Sequence, residues 1–188
     1  MNLIIKPLSE DILEDYLYFF DNAVFTDHPE WSACYCYSFH FTGPAEEWTR
    51  EKNRLSVTDM IKEGRMKGYL AYADEKPVGW CNANDRSNYQ RIMKYYEQVG
   101  MPKDKVVSIV CFLVNPEYRR QGITRALLDR ITADYSSLDY DYLEAYPGKG
   151  MASCEDHYKG PLSLYEQAGF RIEKELDNYF VYRKQLKQ

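Results

Sequence analysis

The strongest constraint on this chain is the segment Val106–Val114, which is apolar at nearly every position and is followed by Pro116. A strand with one exposed face alternates apolar and polar residues, whereas a strand buried on both faces is apolar almost throughout. Proline lacks the backbone N–H that a strand uses, so the strand ends before it. The sequence therefore predicts one central strand around which a sheet is built.

A basic turn at 119–122 separates this strand from an amphipathic helix. The helix is indicated by apolar residues at helical spacing, namely Ile123, Leu127, Leu128, Ile131 and Tyr135. The first turn of a helix has unpaired N–H groups and partial positive charge, so this junction suits a phosphate. Gly122 allows a close approach to the backbone, and the neighbouring arginines add cationic donors. The alternative is an ordinary connection with solvated arginines.

The remaining patterns predict alternating strands and helices on both sides of this unit. Strands are expected at 3–7, 68–73, 78–84, 140–146, 170–176 and 179–185, helices at 12–20 (capped by Ser9), 45–63, 89–97 and 162–168, and an extended segment at 34–41. Residues 74–77 are expected to form a hairpin turn, and 147–160 a loop. This order predicts a single α+β (α/β) domain over residues 1–188, with one mixed, mostly antiparallel central sheet flanked by helices.

Charge and hydropathy argue against nucleic acid and membranes as partners of this chain. The chain has 188 residues and a net charge of -5, whereas nucleic-acid binders present a net basic face. Nucleic acid is therefore not an expected partner. The N-terminal apolar run is too short for a signal peptide, and no segment approaches the roughly 20 apolar residues of a membrane span. A cytoplasmic protein without a membrane partner is expected.

The five cysteines are interpreted as reduced thiols, because their number is odd and no export signal is present. Cys81 and Cys111 lie in apolar strands, where a free cysteine packs as a small hydrophobe. Cys-x-Cys is not the usual spacing of a zinc site, and we expect no bound metal. We therefore do not expect the conceivable ligands to bind a metal; these are Cys34, Cys36, His40, Cys154 and His157.

Two segments resemble motifs of the GNAT superfamily of N-acetyltransferases. Residues 113–124 resemble its acetyl-CoA motif, Gln/Arg-x-x-Gly-x-Gly/Ala after an apolar strand. Arg119 and Gly122 match this motif, and Thr124 replaces its last Gly or Ala. Residues 164–170 resemble the Tyr-Glu-x-x-Gly-Phe segment that precedes the last strands. Where many members have a CoA-binding Asn, this chain has Tyr158, so that contact is not transferred.

The resemblance implies that two central strands splay apart and that the pantetheine arm of acetyl-CoA, the acyl donor, lies between them. The strand segment would bind the pantetheine amides through its backbone, and the turn and helix would bind the pyrophosphate. Tyr165 would protonate the departing CoA thiolate after the amine attacks the thioester directly. The cofactor residues implied in this way are Phe112, Leu113, Val114, Arg119, Arg120, Gln121, Gly122, Ile123, Thr124 and Arg125.

The general base is harder to assign from sequence. Glu144 is the leading candidate, because it lies on the strand that follows the central one, near the expected splay, and its apolar neighbours Leu143 and Ala145 would raise its pKa by burial. The alternatives are that it is an outward, solvated side chain and that a water chain deprotonates the amine.

The acceptor is left open as a small-molecule or peptide amine. Trp31, Tyr35 and Trp80, with Tyr37 and Trp48, form either an aromatic pocket for a cation or part of the core. The predicted function is transfer of acetyl from acetyl-CoA to a primary amine. The alternative is a catalytically silent acyl-CoA-binding module for sensing or assembly, and a homodimer is also left open.

Overall fold

The computed structural model describes residues 2–99, 103–150 and 158–187. In these residues seven strands form one sheet: β1 (Leu3–Pro7), β2 (Gly68–Ala73), β3 (Lys76–Asp85), β4 (Val106–Val114), β5 (Tyr142–Ala145), β6 (Arg171–Glu175) and β7 (Phe180–Gln185). Their order across the sheet is β1-β2-β3-β4-β5-β7-β6. The β4–β5 pair is parallel, and the other neighbouring strands are antiparallel. The predicted mixed, mostly antiparallel sheet is confirmed.

Helices cover both faces of this sheet. They are α1 (Leu13–Tyr18), α2 (Arg50–Lys62), α3 (Gln90–Val99), α4 (Ile123–Ser136) and α5 (Leu162–Gln167). The apolar side chains of α1 and α2 pack in a core on one face, together with much of the segment 24–48. Those of α4 and α5 pack in a second core on the opposite face. None of the helices in the described residues is long and apolar enough to cross a membrane.

The central strand β4 is paired on both sides along only part of its length. Its pairing with β5 runs from Val106 to Ile109, where β5 ends at Ala145. Beyond this point the chain follows β7, because Pro147 accepts a hydrogen bond from Phe180 N at 2.9 Å. Among the described residues, the far half of β4 therefore has only β3 as a strand neighbour. The splay implied by the resemblance is present in the structure.

A bulge marks the same position on the other edge of β4. Asn82 of β3 lies opposite Cys111, but the next β3 residue, Ala83, lies opposite Ile109. Val110 is therefore the extra residue of β4. A bulge bends its strand and increases the local twist, so β4 turns away from β5 where their pairing stops.

The hairpin turn is tighter than expected. Asp74 and Glu75 alone form it, with φ of +47° and +70°, and such a pair suits the right-handed twist of a two-residue hairpin. Pro77 thus belongs to β3. It is tolerated there because the register between β2 and β3 shifts at Ala71 and Tyr72.

The expected extended segment at 34–41 is wrong. Successive turns form instead, closed by hydrogen bonds from Tyr37 N to Cys34 O and from His40 N to Tyr37 O, each 2.8 Å. Tyr35 and Cys36 have positive φ, +41° and +51°. The alternation of aromatic with small residues shows that successive side chains lie in two different environments. Consecutive turns can place side chains in this alternating way, as a strand does, so the pattern alone does not distinguish the two. The expected Ser9 cap is also wrong, since Ser9 makes no side-chain cap hydrogen bond.

Candidate active site

The splay between β4 and β5 opens into a cavity of about 1130 Å³. One wall is the unpaired half of β4, and Tyr158 and Pro161 lie among the other lining residues. The segment 24–48 contributes several aromatic and sulfur-containing side chains. The charged end is formed where α4 begins. The lining residues include Trp31, Cys34, Cys36, Phe39, Trp48, Cys111, Phe112, Leu113, Val114, Arg119, Arg120 and Thr124.

The N-terminus of α4 is open at this charged end. Gly122 occupies the N-cap position with φ of +81° and makes no side-chain cap hydrogen bond. A Cβ atom at Gly122 would meet nothing within 4 Å among the described residues. The guanidinium of Arg120 makes no ion pair or hydrogen bond in the described part of the chain. Unpaired N–H groups and a free cation thus lie together, as an anion site requires.

Other residues assigned to the cofactor site have partners of their own. Arg119 binds the Asp27 carboxylate at 2.5 Å and the Val114 carbonyl at 3.3 Å, which ties the 24–48 segment to the end of β4. Burial alone would raise the pKa of Asp27, but Arg119 outweighs it and holds that pKa below its usual range. Arg125 pairs with Asp129 along α4 at 2.9 Å. Gln121 Nε2 donates to Glu117 O at 3.1 Å. Ile123 is a core residue.

Tyr165 lies behind the cavity wall. Its side chain is buried, its ring centroid is 6.5 Å from that of Phe112, and its hydroxyl donates to the Lys159 carbonyl at 2.5 Å. Gly160 has φ of +81°, and a Cβ there would lie 2.8 Å from the Tyr165 oxygen, so the chain fits tightly around the phenol. Burial raises the pKa of Tyr165 well above its usual value. The phenol therefore keeps its proton at neutral pH.

Glu144 is buried in a network away from the cavity lining. Its Oε2 atom accepts from Arg183 Nε at 2.7 Å and from Arg86 Nη1 at 3.4 Å. Its Oε1 atom accepts from the Tyr146 hydroxyl at 2.6 Å, and that hydroxyl also lies 2.7 Å from Ser108 Oγ. Both carboxylate oxygens are therefore held by the protein. These contacts fit a structural role for Glu144 rather than that of a general base.

The aromatic residues divide between cavity and core. Trp31 and Trp48 line the cavity. Trp80 is fully buried, and its ring centroid lies 5.0 Å from that of Tyr16 in an edge-on contact. Tyr35 is also buried, and its hydroxyl donates to Asp21 and accepts from Arg50 Nε at 3.2 Å. Of the three expected acceptor residues, the structure thus places only Trp31 on the cavity.

Part of the cavity lining was not predicted from the sequence. Phe39 and Tyr158 line the cavity, and so do Cys34, Cys36 and Cys111. The apolar pattern around Cys111 predicts that this residue is buried. It does not reveal that β5 has already ended at Ala145, which leaves Cys111 on the cavity wall. Among the described residues no group of three or more His, Cys, Asp or Glu side chains is arranged to hold a metal ion. Cys154 and His157 lie outside the described residues.

Comparison with known proteins decides the family. The model of the acetyltransferase (GNAT) family matches residues 25–170 of the chain. This protein belongs to the GNAT family. Similar solved structures include an N-acetyltransferase from Staphylococcus aureus, at 13% identity and TM-score 0.59, with 100% of both chains covered. Another is the PaiA N-acetyltransferase from Thermoplasma acidophilum in complex with coenzyme A, at 14% identity and TM-score 0.58, with 98% of this chain and 99% of that one covered.

These two N-acetyltransferase structures share the fold of this chain at low identity, so they carry no information on its acceptor. No curated protein sequence matches the chain. Within the GNAT fold of this protein, the separated strand edge and the open start of α4 face one cavity. The acceptor must be inferred from the residues around that cavity.

We predict that Glu144→Gln lowers the free energy of unfolding, because Glu144 has a structural role. The substitution leaves Arg86 and Arg183 buried or half-buried without their shared carboxylate, so the free energy of unfolding should fall by about 3 kcal/mol. Urea unfolding measures this change. Glu173→Gln is the matched control, because Glu173 contacts the same Arg183 at 3.4 Å from an exposed position and should change stability by less than about 1 kcal/mol. Unchanged stability of Glu144→Gln with a large loss of turnover would make Glu144 catalytic.

Proposed function

We propose that this protein transfers the acetyl group of acetyl-CoA to a primary amine. The observation that carries the proposal is that the unpaired edge of β4 and the open N-terminus of α4 face the same cavity. The edge of β4 offers backbone N–H and C=O groups to a ligand that contains amides, and the N-terminus of α4 offers N–H groups to phosphates. Acetyl-CoA contains both, joined in one molecule.

The backbone of β4 supports the pantetheine end of this assignment. Phe112, Leu113 and Val114 line the cavity, and on one side their strand neighbour is β3. Asn115 N donates to Val78 O of β3, so Leu113, two residues earlier and opposite Trp80, also turns its backbone groups toward β3. Phe112 and Val114 face the splay instead, and since Val114 O already accepts from Arg119, the Phe112 backbone and the Val114 N–H are the groups best placed to bind pantetheine amides. Backbone recognition of this kind makes few demands on side chains, which fits the low identity among structures that share the fold.

Arg120 and the first turn of α4 support the phosphate end. Arg120 supplies a cation with no protein partner in the described ranges. Thr124 lines the cavity, and its hydroxyl is a further donor for a phosphate oxygen. Arg119 acts here by holding the end of β4, and Arg125 lies in the same first turn of α4 with its guanidinium paired to Asp129.

The 24–48 segment lining the cavity supports an amine acceptor. Trp31, Phe39 and Trp48 present aromatic surface, and Glu30 supplies a carboxylate among the lining residues. His28 stacks on Trp31 with a centroid distance of 3.9 Å and contacts Glu30 at 3.0 Å, which orders this corner. Aromatic faces and a carboxylate both attract cations. The acceptor we propose is therefore a small-molecule or peptide amine that arrives as an ammonium ion.

Tyr165 is proposed to protonate the CoA thiolate as it leaves. Its raised pKa keeps the proton available, and its ring lies against Phe112 on the strand that binds pantetheine. In the structure that proton is donated to Lys159 O. Catalysis therefore requires the hydroxyl to exchange this acceptor for the sulfur.

The function is tested by a screen of amines, amino acids, polyamines, aminoglycosides and peptides for thiol release from acetyl-CoA, with product masses measured. Formation of an N-acetyl product in proportion to free CoA is the expected result. Tight binding of acetyl-CoA without turnover across the panel would favour a silent binding module. No binding of acetyl-CoA would contradict the proposal.

We predict that Gly122→Ala weakens acetyl-CoA binding at least tenfold, about 1.4 kcal/mol. Its methyl group would project into the open space before α4, where the phosphates are expected. Calorimetric titration measures the affinity. Gly64→Ala is the matched control, because Gly64 also has positive φ, +68°, and open space around a Cβ, but it follows α2 instead of capping α4. Equal affinities of the two variants would show that the start of α4 does not bind the phosphates.

We predict that Tyr165→Phe keeps its affinity for acetyl-CoA but loses roughly 10²–10⁴-fold in kcat, the range typical of one general acid. Steady-state kinetics with the identified acceptor measure this loss. Tyr182→Phe removes a hydroxyl from a ring 6.4 Å away, which only contacts Glu166 at 3.2 Å, and should have little effect on kcat. A wild-type rate for Tyr165→Phe, with chemistry shown to be rate-limiting, would assign the acid to another group.

A further inference from the structure

The 24–48 segment is tied to both ends of the unpaired part of β4. At one end Asp27 binds Arg119, which also donates to the last carbonyl of the strand. At the other end Asn82 Nδ2 donates to the Cys36 carbonyl at 3.2 Å, and Asn82 pairs in register with Cys111, next to the bulge. An acceptor that binds against this segment therefore lies beside the strand edge that is proposed to bind pantetheine.

Neither of these two segments brings charge to the cavity beyond Glu30. No Asp, Glu, Lys or Arg occurs in residues 31–45 or in 106–114. His40 is buried, and burial lowers its pKa to about 4, so it is neutral at physiological pH. A second ammonium group on the acceptor would lose its hydration here without a carboxylate to replace it. The part of the acceptor that binds between these segments is therefore uncharged.

Two tryptophans line the cavity, and a second ring holds each of them. Trp31 stacks on His28 with a centroid distance of 3.9 Å and an angle of 9° between the rings. Trp48 lies nearly parallel to Tyr37, at 6.2 Å and 8°. Phe39 adds a third aromatic side chain to the lining. Rings that are held before a ligand arrives lose little conformational entropy when it packs on them, so this lining suits a flat apolar group.

Glu30 limits the charge that the acceptor can carry. It directly precedes Trp31 and lines the cavity, but its side chain is 60% exposed and contacts His28 at 3.0 Å. An exposed carboxylate attracts an ammonium ion from solvent, yet water and salt screen it too much to balance a second, buried charge. One carboxylate of this kind suits a monoamine, whereas polyamines and aminoglycosides carry several ammonium groups.

We propose that the acceptor is an arylalkylamine, which has a single amine joined by a short alkyl chain to an uncharged aromatic ring. This inference rests on the proposed function and specifies its acceptor. The ring packs against Trp31, Trp48 or Phe39, where offset and edge-on ring contacts are favourable. The alkyl chain lets the amine extend from these rings to the thioester beside Cys111.

The uncharged surroundings also prepare the amine for attack, because they disfavour its ammonium form. The ammonium ion loses one proton to solvent, and the neutral nitrogen attacks the thioester carbonyl. The C–N bond forms, the C–S bond to CoA breaks, and the nitrogen releases its second proton to solvent. The CoA thiolate takes a proton from Tyr165, which recovers it from solvent.

Steady-state kinetics with four amines test the acceptor class. The amine 2-phenylethylamine is compared with 2-cyclohexylethylamine, which keeps its charge and size without the aromatic ring. Spermidine and kanamycin represent acceptors with several charges. We expect kcat/KM for 2-phenylethylamine to exceed that for the cyclohexyl compound about tenfold, and to exceed those for the two polycations by more.

Variants of the two tryptophans test which rings provide this preference. Trp31→Ala and Trp48→Ala should each lower kcat/KM for 2-phenylethylamine about tenfold and reduce its advantage over the cyclohexyl compound. Their affinity for acetyl-CoA, measured by calorimetry, should stay unchanged, and melting temperatures verify that they are folded. Tyr18→Ala is the control, because it removes an exposed ring from α1, and it should keep the wild-type selectivity.

The outcomes separate this inference from the proposed function. If another of these amines is acetylated with a kcat/KM equal to or above that of 2-phenylethylamine, the acceptor class is wrong and the proposed function stands. The same follows if both folded tryptophan variants keep the wild-type selectivity. If acetyl-CoA binds but no amine of any class is acetylated, the proposed function fails, and this inference fails with it.

Discussion

The structure depends on the loss of one strand pairing in the middle of its sheet. Strands β4 and β5 pair over four residues each, and then β5 ends while β4 continues to Val114. Backbone N–H and C=O groups in a buried setting need partners, so the unpaired half of β4 is a strand edge that a ligand can complete. The cavity, the position of α4 and the exposure of Cys111 to the cavity all follow from this divergence.

The Glu144 network fixes where the divergence begins. Glu144 on β5 pairs in register with Ser108 on β4, one residue before the last pair of the two strands. Its carboxylate binds Arg183 from β7 and Arg86, which directly follows β3, while Tyr146 links it to Ser108. One buried carboxylate, next to the point where β4 and β5 separate, is thus connected to β4, β5, β7 and the end of β3. A buried ion pair adds little net stability, so its contribution here is to position: it holds the paired half of β4 and β5 together.

The elements around the site could be predicted where one local pattern determines them. The nearly continuous apolar run of β4, the proline after it and the spacing of Ile123 and Leu127 all depend on the chain itself, and both elements have the expected bounds. The segment 34–41 could not be predicted in this way, because its rings pack on Phe20, Trp48 and Tyr89, which belong to other parts of the chain, rather than against a strand partner.

The roles of single side chains were harder to infer than the elements. The sequence shows that Glu144 has apolar neighbours, but its arginine partners come from positions 86 and 183, which only the folded sheet brings together. Trp80 fills the core because Gly68 on β2 leaves space for its ring; a Cβ on that glycine would lie 2.3 Å from the indole.

The central claim is that the unpaired edge of β4 and the start of α4 bind acetyl-CoA together. Amide hydrogen exchange, followed with and without CoA and resolved by short overlapping peptides, tests it most directly. The account predicts that CoA slows exchange at 110–114 and at 123–125, while 106–109, already paired with β5, changes little. Binding of CoA with protection elsewhere, and with unchanged exchange at both of these segments, would contradict it.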